Sequence, residues 1–393
     1  MSTTVEIGVT RGFVLDSPVQ GVLDQDILGG TNFVDVSDRV ASVSINRGKN
    51  RDLERYSAGS LDVSFHNEDR FFDPVVGTAI DLVPRVPIRV SMDGTAQFVG
   101  SVNDWQFDYS TAGKSNAVVT AADDLQLLAQ RNVASSGTAV EQLTGARVEA
   151  VLDQLTVDWP ADKRAVDAGG VTVLEQEFDG SGALEYLQLV EATERGQLFV
   201  GKDGRLTFKD EDTGAARSDG LVTFADDGTG IGFQSAAIDY GSELLVNRAV
   251  FESAVGTAIA TNNLSQVSYG IIEEAFTVLN TSQAELQGLA DYVVARFAQP
   301  ELRFSMLSVN VDSLSPADRA AVLGLEISDV ALIKFTPNQT GTQIEKYGQV
   351  IKISHSQVPG RHDVMFGFDS LEFAPLVLDD AVFGKLDVGR LGF

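Results

Sequence analysis

The sequence predicts a mainly β protein with an α+β insertion. Three observations carry that reading. Short apolar runs recur with the two-residue alternation of half-buried strands. Thirty-seven glycines and ten prolines interrupt those runs, as turns between strands require. Near the middle, two segments change to helical spacing. At 393 residues and 44% hydrophobic content, the chain is too long for one ordinary core, so two or three domains are expected.

Taken in order, residues 1–32 read as an N-terminal arm, rich in Gly and Asp, with Gly21, Gly29 and Gly30. Residues 33–130 read as a first β-barrel or sandwich. Alternation marks strands at 40–45, 61–65 and 86–90, and Trp105, Phe107 and Tyr109 alternate in a later one. Asp93-Gly94 is a hairpin signal, and Gly113-Lys114-Ser115 is the tip of the next hairpin. Residues 131–212 read as an inserted α/β domain. Leu143, Val148, Val151, Leu152 and Leu155 give a helix over 141–155. A second helix runs over 182–195, with Gly196 placed as its C′ residue. Asp203-Gly204 then joins two short strands. Residues 213–370 read as a Gly/Asp-rich connector over 213–240 and a second β-rich domain with one helix. That helix starts at the capping box Ser282…Glu285, buries Leu286, Leu289, Val293 and Phe297, and ends before Pro300. Strands are expected at 245–251, 303–311, 329–335, 347–355 and 364–368. Residues 371–393 form a C-terminal arm.

One block is far more specific than the rest. It reads Arg47-Gly48, Arg51, Arg55 and Ala58-Gly59, then Ser60-Leu61-Asp62-Val63-Ser64-Phe65, then Asn67-Glu68-Asp69-Arg70-Phe71-Phe72-Asp73-Pro74. Leu61, Val63 and Phe65 share one strand face. The Asn-Glu-Asp cluster turns the chain, and Pro74 prevents the strand from continuing. Gly59, just before the strand, suggests a positive φ or a tight backbone approach.

This block resembles the first β-domain of the minor tail proteins of long-tailed bacteriophages. They carry Arg-Gly, Arg, Ala-Gly, a strand, then Asn-x-Asp-x-x-Phe-x-Pro. The order of elements extends the resemblance over about residues 33–370, with a loose middle. The resemblance implies hub-like β-barrel or sandwich domains similar to tail-tube folds, and a tail-tip (baseplate hub) subunit. It implies a homo-oligomeric ring at the distal end of the tail tube, three-fold before six-fold. Distal tail and tape-measure proteins are the implied partners, and tail assembly and DNA passage the implied role. The implied location is the virion tail tip, after synthesis in the host cytoplasm. A distal tail protein ring is the rival within this class. A carbohydrate-binding tail module for host attachment is the rival outside it; two tryptophans, Trp105 and Trp159, give it little support.

Composition excludes several chemistries. The chain has no cysteine, hence no disulfide or thiolate site. It carries 56 acidic against 29 basic residues, a formal charge of −27, which opposes nucleic-acid binding. Such a surface suits a lumen through which DNA passes without sticking; a merely soluble or salt-adapted surface looks the same. His66, His355 and His362 stand in no metal-ligand frame. Asp210-Glu211-Asp212 and Asp226-Asp227-Gly228 lack calcium-loop spacing. For Gly113-Lys114-Ser115 to end a phosphate loop, the first glycine would have to stand at Asp108. No Gly-x-Ser-x-Gly elbow is present. Neither catalysis nor a cofactor is expected. No apolar run of about 18 residues is present, so no membrane insertion is expected, and the first residues lack an export signal.

Two features suggest subunit contacts. Arg47, Arg51, Arg55 and Arg70 are the densest basic cluster of an acidic chain. They are either surface cations paired locally with Asp52, Glu54, Glu68 and Asp69, or an inter-subunit patch. Residues 13–30 also align without gaps to 376–393, with nine identities over 18 positions. Asp16/Asp379, Asp24/Asp387 and Gly21/Gly384 are among them. The copies serve either as clasps on a partner or as duplicated strands closing the protein's own sheet. Asp16, Asp24, Asp379 and Asp387 join the four arginines as candidate interface residues.

Overall fold

The structure is a computed structural model that describes residues 2–9, 32–51, 53–75, 80, 82–211 and 221–370, with the backbone of 374–375 and 389–390. The terminal repeats fall almost entirely outside the described residues. So do Asp16, Asp24, Asp379 and Asp387.

The alternation of apolar residues builds one large sheet, antiparallel but for a single pair. Its strands lie in the spatial order Ser235–Asp239, Arg303–Asn310, Arg361–Ser370, Ile344–Val358, Val40–Gly48, Ser57–His66, Ser115–Ala122, Thr95–Tyr109, Pro87–Met92, Thr3–Val9 and Asn32–Asp35. Val330–Phe335 also pairs with Ile344–Val358, and Val222–Ala225 runs parallel to Val330–Phe335. The protein is thus mainly β. Val63, Phe65, Ile88, Val119, Ile353 and Phe366 all belong to one hydrophobic core. The first β region and the strands beyond residue 300 therefore share a sheet and a core.

They join where Val40–Gly48 pairs with Ile344–Val358, Ile45 opposite His355 and Gly48 opposite Lys352. Gly48 has φ +111°, and a Cβ there would overlap the Ile351 carbonyl. The close approach lets Lys49 N donate to Ile351 O at 2.9 Å.

Two smaller units attach to this sheet. The insertion packs helices Thr144–Leu152 and Ala183–Glu194 on the hairpin Gln197–Val200/Leu206–Lys209, with Val148, Leu187, Leu198 and Phe208 at its core. The other unit is a three-stranded sheet, Gly256–Thr261, Arg248–Ser253 and Glu273–Thr277, backed by helix Gln283–Phe297. Ser282 Oγ accepts from Glu285 N at 3.2 Å, and Leu286, Leu289, Val293 and Phe297 are buried, as the spacing predicts.

Several expectations need correction. Thr3–Val9, read as part of an arm, is a sheet strand with Val5 and Ile7 fully buried. The connector region contains two sheet strands, Val222–Ala225 and Ser235–Asp239. Its Asp226-Asp227-Gly228 is a turn: Asp227 accepts from Thr229 N at 2.9 Å, and Asp226 from Thr336 N at 2.7 Å. The first insertion helix stops at Leu152 and leaves Leu155 97% exposed. The chain turns there because Val157 and Asp158 both donate to Gln154 O. Arg195, at φ 54°, takes the left-handed position expected of Gly196. Its guanidinium lies 3.7 Å from the Tyr292 ring centroid, and Gly196 serves instead to let Lys209 O approach. The strand expected over 245–251 is Arg248–Ser253.

Candidate assembly surfaces and the joint beneath them

The four arginines do not form one patch. Arg47 is only 5% exposed. Val43, Ile45 and Arg47 alternate along their strand, so its guanidinium follows two core residues inward. Nη2 donates to Val200 O at 2.9 Å and to Glu326 Oε1 at 2.8 Å. Arg51 and Arg55 are exposed. Arg51 pairs with Glu243 at 2.7 Å and Glu54 at 3.6 Å, and Arg55 reaches Gln188 Oε1 at 3.5 Å. Arg70 lies beyond the far end of strand Ser57–His66, whose 10 residues span about 30 Å at 3.3 Å each. Its Nε donates to Asp73 Oδ2 at 2.6 Å. Asp52 lies outside the described residues; of Glu54, Glu68 and Asp69, only Glu54 pairs with one of these arginines. Asp69 pairs with Arg39 at 2.8 Å.

The arginine expected at a subunit surface is instead the centre of a buried polar joint. Gly59 N donates to Asp123 Oδ2 at 2.7 Å, and Leu125 N to Asp123 Oδ1 at 3.0 Å. Burial pushes the Asp123 carboxyl up to about 7, against these two hydrogen bonds and the nearby Arg47 charge. On the other side of Arg47, Glu326 Oε2 accepts from Lys202 N at 2.8 Å. Lys202 Nζ donates to Leu323 O at 3.0 Å and Leu325 O at 3.1 Å; burial lowers its pKa. Strands Val40–Gly48 and Ser57–His66, the insertion hairpin and the 323–329 loop therefore meet at one ionic cluster. No sequence motif flags Glu326 or Asp123 as partners. The inward phase of Arg47 was readable.

The rest of the block is equally structural. Asn67 is fully buried and closes its loop twice: Nδ2 donates to Phe72 O and Phe72 N to Oδ1, both at 2.9 Å. Phe72 packs on Phe65 at 4.7 Å and Trp105 at 5.8 Å. Asp73 Oδ1 accepts from Val75 N at 2.8 Å. The rings of Trp105, Phe107 and Tyr109 stack on one another, 6.4 Å apart at each step.

Among the described residues, no group of three or more His, Asp or Glu could hold a metal ion. Clefts at Arg296–Arg303 and at Phe304–Asp369 offer about 20 and 10 Å³, room for a water molecule rather than a substrate. His355 and His362 form a buried pair, Nδ1 to Nε2 at 3.1 Å.

The fold, a long shared sheet carrying an insertion with its own core, is that of phage-type tail and baseplate proteins. It is similar to the prophage MuSo2 43 kDa tail protein of Shewanella oneidensis, with TM-score 0.61 and 11% identity, over 94% of this chain and 96% of that one. A tail protein of Neisseria meningitidis MC58 gives TM-score 0.59 and 11% identity, over 94% and 97%. The Escherichia coli c3393 protein gives TM-score 0.50 and 11% identity, over 84% and 73%. It is described as a type VI secretion component similar to the T4 phage tail proteins gp27 and gp5. No family model matches the chain, and no curated protein matches it by sequence.

Proposed function

We propose that this protein is a structural subunit of a phage tail tip, a baseplate hub subunit that forms a ring, three-fold before six-fold, at the distal end of the tail tube. The observation that carries the reading is the fold shared with tail proteins over almost the whole chain. The acidic surplus suits a lumen that DNA crosses without adhering. Distal tail and tape-measure proteins are the expected neighbours. Exposed Arg51, Arg55 and Arg70 supply cations that can meet acidic surface on the next protomer, whereas buried Arg47 holds the subunit itself together. The terminal repeats act as clasps on neighbouring subunits.

Light scattering at micromolar protein, with electron microscopy of the particles, tests the ring. Closed three-fold particles are expected, and a strictly monomeric subunit in assembled tails refutes the reading. Deletion of residues 376–393 is expected to leave a folded core that no longer assembles. Normal assembly of that truncation rules out the clasp.

A further inference from the structure

Twenty consecutive residues, Ser253 to Ile272, carry no charged side chain in a chain of net charge −27. The same stretch holds Val255, Ile259, Leu264, Val267, Tyr269 and Ile271. These are six of the seventeen exposed large apolar side chains among the described residues. Leu264 is 81% and Val267 88% exposed.

The local structure presents these side chains on a fixed support. Helix Gln283–Phe297 covers one face of the three-stranded sheet, where Ala249, Phe251, Ala258 and Ala260 are buried. On the opposite face Val250 stands between Ile259 and Ala275, in register across the three strands. Helix Asn263–Tyr269 follows directly. Its Asn262 cap accepts from Ser265 N at 3.0 Å, and Ser265 is buried. Leu264 and Val267, three positions apart, lie side by side on the outer surface. Buried Asn247 clamps the far end, donating to Gly270 O at 2.7 Å and accepting from Ile272 N at 2.8 Å.

We infer that the surface formed by Leu264, Val267, Ile271 and Ile259 is a contact with a second copy of this chain. The inference rests on the ring reading and locates one of its contacts. Two copies that each carry −27 repel wherever acidic surfaces face each other. They approach at lower cost where charge is sparse: this is the longest uncharged stretch in the chain, and on the adjoining sheet face Arg248 and Glu273 neutralise each other at 2.8 Å, leaving Glu252 at its rim. Aliphatic side chains held on a rigid support then supply apolar burial at little cost in ordering.

The absence of cysteine gives a clean test. Val267→Cys is labelled with a benzophenone maleimide in the full chain and photolysed at micromolar concentration. Adducts at multiples of the 42.0 kDa chain are expected. The pair Leu264→Asp and Val267→Asp alters only exposed side chains. It is expected to leave the melting curve unchanged and weaken self-association by at least about tenfold. A wild-type oligomer that gives no adduct from position 267 and tolerates both aspartates overturns this contact alone and leaves the ring standing. A wild-type chain that is monomeric both alone and in tails overturns both. Adducts formed only with a different tail protein overturn the choice of a second copy.

Discussion

Arg47→Ala tests whether the buried joint ties the insertion to the main sheet. The substitution removes the two Nη2 hydrogen bonds across that junction, to Val200 O and Glu326 Oε1. Removing one partner of a buried ion pair costs about 3–5 kcal/mol, because the other charge is stranded. The Glu326 side chain is 20% exposed, so water relieves part of that cost. The orphaned Val200 carbonyl adds about 1 kcal/mol or more. A loss of about 3 kcal/mol is expected. Arg51→Ala, at a side chain 49% exposed, is expected to change stability by at most about 1 kcal/mol. A chain with three separate cores need not unfold in one step. Urea unfolding should therefore be accompanied by amide exchange resolved along the chain. Exchange should rise in 197–202 and 325–329, while helix Gln283–Phe297 stays protected. Equal small effects of the two substitutions, or a uniform rise in exchange, would show that Arg47 does not couple these segments.

Three other outcomes follow from the same structure. Gly59→Val places a Cβ 2.8 Å from Asp123 Oδ2 and 2.9 Å from Arg47 Cγ, so overpacking should cost about 1–3 kcal/mol; an unchanged melting temperature would make Gly59 an ordinary strand residue. Asn67→Ala leaves Phe72 N without its partner and Phe72 O with only the longer bond from the Tyr109 hydroxyl at 3.5 Å, and should cost about 1–3 kcal/mol. Trp105 fluorescence in a Trp159→Phe background reads this loop, and a midpoint equal to that of the parent would sink the assignment. Burial holds His362 at about 4 and His355 well below the ordinary imidazole range. Both lie below the unfolded value of about 6.5, so their stability is complete above pH 6.5 and is lost as pH falls toward 4. Asp123 and Glu191, both pushed up to about 7 by burial, act with the opposite sign. Replacing both histidines with leucine should remove the acid-side loss and leave the carboxylate contribution; superimposable pH–stability curves would refute the pair's role.

Local patterns made most elements legible. Capping at Ser282, the turn at Asp93-Gly94 and the inward phase of Leu61, Val63 and Phe65 depend on neighbours in sequence, and each is present. The expectation of one helix in this region missed Asn263–Tyr269 and Pro316–Gly324, although the second carries a local signal: Ser315 caps Asp318 N at 3.2 Å and Pro316 takes the first position. Misreadings arose where tertiary pairing decides. Val222–Ala225 is a strand because Val330–Phe335, about a hundred residues later, runs beside it. Thr3–Val9 is a strand because Pro87–Met92 receives it. Acidic residues flank the first in sequence and a Gly/Asp-rich segment follows the second, and that composition hid both. No local signal indicates that the first and last β regions share a core.

The specific block between Arg47 and Pro74 shows why a motif can identify a fold without marking a reactive site. Each of its unusual residues satisfies a geometric demand rather than a chemical one. Gly48 permits the strand crossing, Gly59 admits the Asp123 carboxylate, Arg47 neutralises the cluster behind it, and Asn67 replaces two backbone partners in its loop. Few residue types meet any one of these demands, because each position combines a close approach with a buried polar group. Surface contacts are constrained differently. Leu264 or Val267 can be any aliphatic that fits a neighbour, so such a surface leaves little trace in one chain read alone. The block recognisable in sequence therefore reports the joint that shapes the subunit. The surface proposed to join two copies emerges only when exposure and charge are seen together.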